Sequence, residues 1–209
     1  MSISKTGRLT LTILAITTVG VGALVYRSPA VAMPMPSIGK RAPDFSARGA
    51  DGKMHKLSDY RGSTVVLEWG SPNCEFTVQQ YDTGNMQRLQ AYAAQHKIVW
   101  LSINTAAPDK GGYLSPNAAV ALTKKRGAKI TSFLFDTTGT VGRLYGATST
   151  PTVYVINASG NLAYAGPVTA AWGDPRTAQN YVKDALLQVV AGKPVSNPVV
   201  RPYGCPIKY

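Results

Sequence analysis

Two long apolar runs anchor the reading of this chain. Thr64–Trp69, interrupted only by Glu68, and Ile98–Ile103 have the β-branched and aromatic content of buried strands. Shorter runs at Ser132–Phe135, Thr152–Ile156 and Leu162–Ala165 predict three more strands. Asn157–Asn161 serves as a hairpin turn between the last two. Residues 42–62 hold two short segments around Asp51-Gly52, which predicts a small N-terminal hairpin. Between the strands the pattern turns helical. Glu75 to about Gln95 predicts a helix, with Asp82-Thr83-Gly84 as the place for a break. A loop with Pro108, Gly111 and Gly112 follows the second strand. Ser115-Pro116-Asn117 opens a helix to Arg126, with Gly127 as its cap. Gly139–Tyr145 gives one or two helical turns. In Arg176–Val190 the apolar positions Tyr181, Val182, Ala185, Leu186 and Val189 fall on one helical face. Strands alternating with helices, then a closing hairpin and a helix, predict an α/β fold: a central mixed sheet with helices on both faces. From Lys193 four prolines predict a tail that is neither strand nor helix.

The N-terminus changes the picture. Lys5 and Arg8 precede an uncharged, mostly apolar run from Leu9 to Val25, and Ala30-Val31-Ala32 has the small-x-small form of a cleavage site. These are the parts of a secretory signal. The run of about 17 residues also approaches the roughly 20 that span a membrane, so a retained N-terminal anchor is the competing reading. Either way the globular part is expected to be exported, periplasmic or otherwise extracytoplasmic. The expected organisation is signal or anchor over 1–32, linker over 33–41, one domain over 42–192 and a tail over 193–209.

The formal charge of +12 falls to +9 without residues 1–32, which hold Lys5, Arg8 and Arg27 and no acid. The remaining charges are dispersed. The tight cluster Lys124-Lys125-Arg126 reads as a solvated helix face, and no nucleic-acid partner is expected. With two cysteines and two histidines in the whole chain, no ligand spacing reads as a metal site, and no cofactor is expected.

The chemistry gathers at the first strand–helix junction. The strand ends at Gly70-Ser71-Pro72-Asn73, and Cys74 is expected to begin the helix. The partial positive charge and free N–H groups of a helix start favour a thiolate, which makes Cys74 the candidate nucleophile. The bland reading is a cysteine acting as a small core hydrophobe. Glu75, next to it, suits the helix terminus but would repel a thiolate.

This order of elements resembles the thioredoxin superfamily, and more closely its redoxin branch of alkyl hydroperoxide reductase and thiol-specific antioxidant proteins. The stretches that carry the resemblance are Ala42-Pro-Asp-Phe45, Leu57-Ser-Asp-Tyr-Arg-Gly62, Val65 to Cys74, Gly142-Arg-Leu-Tyr-Gly146 and Thr150-Pro-Thr-Val-Tyr-Val-Ile-Asn157. The resemblance implies a thioredoxin-like fold. It implies that Glu68, six residues before Cys74, relays a proton to or from the thiol, against the reading that it escapes to solvent at a strand end. It implies a cis Thr150-Pro151 facing Cys74, with the Thr150 backbone offered to an extended substrate strand. Ser71 stands where a peroxiredoxin has Thr or Ser. Three positions depart from the family. Thr77 replaces the second thioredoxin cysteine, Leu67 replaces a peroxiredoxin proline, and the Thr-Pro pair replaces an arginine that polarises peroxide. Arg143 reads as a surface ion-pair partner, and Trp69 as core beneath the site.

Cys205 in the tail is then either an incidental thiol or the resolving partner of Cys74. Two functions compete. One is an exported thiol-dependent oxidoreductase that reduces a peroxide or a protein disulfide through Cys74 and is recharged by an external thiol. The other is a non-catalytic module that binds a peptide or protein.

Overall fold

The computed structural model describes residues 36–171 and 173–209. The expected signal or anchor lies outside the described residues, and no helix within them is long and apolar enough to cross a membrane. Seven strands form one mixed sheet: β1 (Ser46–Gly49), β2 (Met54–Lys56), β3 (Val65–Trp69), β4 (Val99–Asn104), β5 (Ser132–Phe135), β7 (Thr152–Ile156) and β8 (Leu162–Gly166). Their order is β2-β1-β5-β4-β3-β7-β8. The central strands β3, β4 and β5 run parallel. The N-terminal hairpin β1–β2 joins one edge antiparallel through β5, and the hairpin β7–β8 joins the other through β3.

Alternation along β3 divides the core. Val65, Leu67 and Trp69 face one side, with Leu101, Ile103 and Leu134 from the neighbouring strands. There Trp69 packs against Tyr145 and Tyr154, ring centroids 5.6 and 5.2 Å away. Helix α4 (Thr140–Tyr145) and the N-terminal segment cover this face. Val66, Trp100, Val153 and Val155 face the other side, under α1 (Glu75–Asp82), α2 (Asn85–Gln95) and α5 (Tyr181–Val190). Helix α3 (Pro116–Lys125) starts where Ser115 accepts a hydrogen bond from the Ala118 amide at 3.3 Å.

Several boundaries differ from the sequence reading. The helix expected over 75–95 is two helices, because Gly84 adopts φ +72° between them and turns the chain. Helix α5 begins at Tyr181 rather than Arg176. Asn180 caps it, accepting from the Lys183 amide at 3.0 Å, while Arg176 folds back onto Asp174. Gly39 and Arg41, read as linker, are already paired with the start of β8. The tail is not structureless. Val200 donates to Ala165 beside β8, and Cys205–Pro206 form a short strand, β9, on β6 (Ser149–Thr150). Proline is tolerated there because β9 makes an isolated two-stranded pair, and the next donor, Ile207 N–H, bonds Thr148 O at 2.9 Å.

Two predictions follow from this core. Leu67 is fully buried at the centre of the sheet. Leu67→Ala is expected to lower the urea unfolding free energy by about 2–5 kcal/mol. Tyr145, Tyr154 and Tyr164 are also buried, and burial, which disfavours a phenolate, pushes each pKa up. Their folded values thus exceed the unfolded value of about 10. The stability they hold is complete below that pH and is lost as pH rises through it, because the unfolded chain releases the protons first. Urea midpoints are expected to fall steeply above about pH 10, and less steeply in Tyr154→Phe.

Candidate active site

Strand β3 delivers the chain to the site, and the turn at Gly70–Asn73 reverses it. Cys74 caps α1 rather than entering it: its backbone is extended, and its carbonyl accepts the Val78 amide at 2.9 Å. Its side chain is buried, with 1% exposed. Glu75, the first helical residue, is exposed.

Across the gap lies the Thr150-Pro151 peptide, which is cis. The Thr150 carbonyl oxygen is 3.1 Å from Cys74 Sγ. Strand β9 lies on the same peptide, with Cys205 opposite Thr150 in register. The two sulfurs are joined: Cys74 and Cys205 form a disulfide with Cα atoms 5.7 Å apart, 131 residues apart in sequence. Cys74, Thr150, Pro151 and Cys205 are therefore brought together. Ser71 stands at the rim, where it accepts the Asn73 amide at 3.4 Å. With Asn104, Thr150 and Cys205 it lines a small cavity of about 40 Å³, room for a water molecule. Asn104 Oδ1, buried, has no hydrogen-bond partner there.

Glu68 does not escape to solvent. It is 1% exposed and points to the α1/α2 side of the sheet. Three neutral donors hold its carboxylate: Tyr81 Oη at 2.8 Å on Oε1, with Trp100 Nε1 at 2.7 Å and Ser102 Oγ at 2.9 Å on Oε2. Such bonds satisfy a buried charge where no cation pairs with it. Burial, and then the Glu68 charge, drive the Tyr81 pKa well above its usual value, so this phenol stays a donor. The Arg126 guanidinium lies 4.4 Å over the Tyr81 ring. Arg126 thus leaves the solvated face to which the sequence assigned it, because the ring offers a cation a better partner than open solvent does. Glu68 makes no hydrogen bond to Cys74. A Cβ at Gly70 would sit 3.4 Å from Glu68 Oε1 and 3.5 Å from the Thr77 methyl, so Glu68 and Thr77 both border Gly70. Thr77, in the place of a second thioredoxin cysteine, is buried, and its hydroxyl has no partner.

Trp69 is core, as expected, and its Nε1 donates to Thr105 Oγ1 at 3.0 Å. Among the described residues Arg143 has no ion-pair partner. It donates to the Thr138 carbonyl, and its guanidinium lies 4.6 Å from the Tyr209 ring centroid, because the tail brings an aromatic ring within its reach. Sequence reasoning missed Tyr203, which packs edge-on against Phe76 at 5.5 Å, and it missed the three donors to Glu68. Ser102 was within reach of the pattern, since β4 runs parallel to β3 and pairs it with Glu68.

The AhpC/TSA family model matches residues 38–165, most of the described sheet. The chain belongs to the AhpC/TSA family. No curated protein matches it. Among solved structures it is similar to a hypothetical protein from Sinorhizobium meliloti, 23% identical with TM-score 0.72, covering 84% of this chain and 96% of that one. It is equally similar to an uncharacterized conserved protein from Geobacillus kaustophilus, 22% identical with TM-score 0.72, covering 84% and 93%. A putative thiol:disulfide interchange protein DsbE from Chlorobium tepidum is 27% identical with TM-score 0.51, covering 62% of this chain and 84% of that one. The fold is thioredoxin-like, and the paired cysteines are consistent with a thiol–disulfide oxidoreductase of the redoxin type.

The carboxylate cage yields its own test. Tyr81→Phe removes one of the three donors to Glu68. It is expected to cost about 1.5–3 kcal/mol in urea unfolding, the range for a hydrogen bond to a charged group.

Proposed function

We propose that this protein is an exported thiol–disulfide oxidoreductase whose working couple is Cys74–Cys205. The observation that carries this reading is the disulfide itself, formed between the start of α1 and the tail strand against Thr150. In the reducing direction, the Cys74 thiolate attacks one sulfur of a partner protein's disulfide. A Cys74–partner mixed disulfide forms, and the other partner sulfur leaves as thiolate with the bonding electron pair. The Cys205 thiolate then attacks Cys74 Sγ, the partner leaves fully reduced, and the protein holds the 74–205 disulfide. An external thiol reductant returns it to the dithiol. The same steps reversed oxidise a partner dithiol. Glu68 is read as the acid that gives or takes the thiol proton, and Cys205 as the resolving thiol that a second cysteine at position 77 would otherwise supply. Export is supported by the charged start, apolar run and Ala30-Val31-Ala32 in the sequence. The domain is read as residues 42–192 with an extended tail, and the signal as cleaved after Ala32.

A second reading, reduction of a peroxide, is favoured by family membership and by Ser71 three residues before Cys74. Against it, the Cys74 sulfur faces a backbone carbonyl, and among the described residues no cationic donor that could polarise a peroxide is bonded to it.

Both readings are tested together. Protein-disulfide reduction and hydrogen peroxide consumption are followed with a dithiol reductant for the wild type, Cys74→Ser and Cys205→Ser. The proposal expects protein-disulfide turnover that falls to background in Cys74→Ser, and a trapped mixed disulfide in Cys205→Ser. Peroxide consumption without disulfide turnover supports the second reading. Inactivity of the wild type toward both makes the domain a binding module.

A further inference from the structure

The two cysteines of the disulfide are not equally open to solvent. Cys74, at the base of α1, is 1% exposed, and the Thr150 carbonyl oxygen stands 3.1 Å from its sulfur. Cys205 is partly exposed, and Pro206 after it is exposed. The small cavity at the rim borders Cys205, together with Ser71, Asn104, Thr150 and Lys208. Cys74 is not among the described residues of its wall. Lys208 is exposed, and among the described residues it is the one charged group on that wall.

An entering thiolate can attack either sulfur of a disulfide, and access and the stability of the leaving thiolate govern the choice. At Cys74 the effects on the leaving thiolate oppose one another. The start of α1 stabilises a thiolate, because the first N–H groups of a helix have no partner within it. The Thr150 carbonyl and the adjacent Glu75 act against it. Access therefore decides. A sulfur nucleophile is larger than water, and a residue 1% exposed gives it no approach unless the tail lifts. Lifting the tail gives up the contact of Tyr203 with Phe76, the bond from Ile207 N–H to Thr148 O and the packing of Tyr209 under Arg143. Attack on Cys205 gives up none of these.

We infer that the external thiol that recharges the protein attacks Cys205 rather than Cys74, and that Lys208 favours an anionic thiol for this step. This deepens the redox reading proposed above and rests on it. The two halves of the cycle then use different sulfurs. A partner disulfide meets Cys74 in the reduced protein, and the reductant meets Cys205 in the oxidised one. The reductant thiolate bonds Cys205 Sγ, the bond between the cysteines breaks, and its electron pair leaves on Cys74 as thiolate. A second reductant thiolate then attacks the reductant sulfur of the mixed disulfide. The reductant is released as its own disulfide, and Cys205 leaves as thiolate and takes a proton from water.

The test starts from the oxidised protein. It is mixed with 2-mercaptoethanesulfonate and quenched in acid within the first turnover. Free thiols are blocked with N-ethylmaleimide, and the adducts are located by peptide mass spectrometry. The adduct on Cys205, with Cys74 blocked, is expected in at least roughly tenfold excess over the reverse pattern. Rates of disulfide opening by 2-mercaptoethanesulfonate and by the cationic thiol cysteamine are then compared in the wild type and Lys208→Glu. Taking the ratio of the two rates in each protein cancels the different thiol acidities of the reagents. Lys208→Glu is expected to lower the sulfonate-to-cysteamine ratio by about threefold or more at low salt. An adduct that favours Cys74, or neither sulfur, overturns the inference, and a ratio that does not move overturns the part given to Lys208. In either case opening of the disulfide leaves the redox reading standing. A disulfide that opens with neither reagent overturns both.

Discussion

The site depends on one juxtaposition: the backbone of Thr150 is shared between the sulfur of Cys74 and the strand that carries Cys205. Cys74 reaches it from the end of the most buried strand through a four-residue turn, and Cys205 reaches it from the far end of the chain. Closing a loop of 131 residues with a covalent bond removes much of the freedom of the unfolded chain. The bond is not alone, since Tyr203, Ile207 and Tyr209 hold the tail by contacts that do not involve sulfur. A reduced protein would keep its second thiol close at hand for that reason. The position one helical turn after Cys74, where a thioredoxin has its second cysteine, is here Thr77.

The second constraint is a carboxylate buried without a cation in contact among the described residues. Glu68 survives in the core because Tyr81, Trp100 and Ser102 each give it a hydrogen bond, and because Tyr81 is itself kept protonated by burial and by that charge. A leucine of similar size would fill the space at less cost in desolvation. Glu68 and Thr77, whose hydroxyl is unpartnered, both border Gly70. The same cage orients the ring of Tyr81 for Arg126 and so ties α1 to the end of α3.

The sequence by itself determined the strands, their burial and the place of the first cysteine. Runs of β-branched residues, turn punctuation at Gly70–Asn73 and helix caps at Ser115 and Gly127 act over a few residues, and local signals of that kind are legible without tertiary information. The family pattern added the cis Thr150-Pro151 facing Cys74. The start of α5 was misplaced because apolar periodicity does not see an Asn180 cap that overrides it. Only the tertiary structure decided that a proline-rich tail becomes a strand, that Cys205 meets Cys74, and that Glu68 turns inward to three donors. Each of those rests on contacts between residues 13 or more positions apart. Its free energy depends on which surfaces the fold has already brought together, and no local pattern of side chains encodes that.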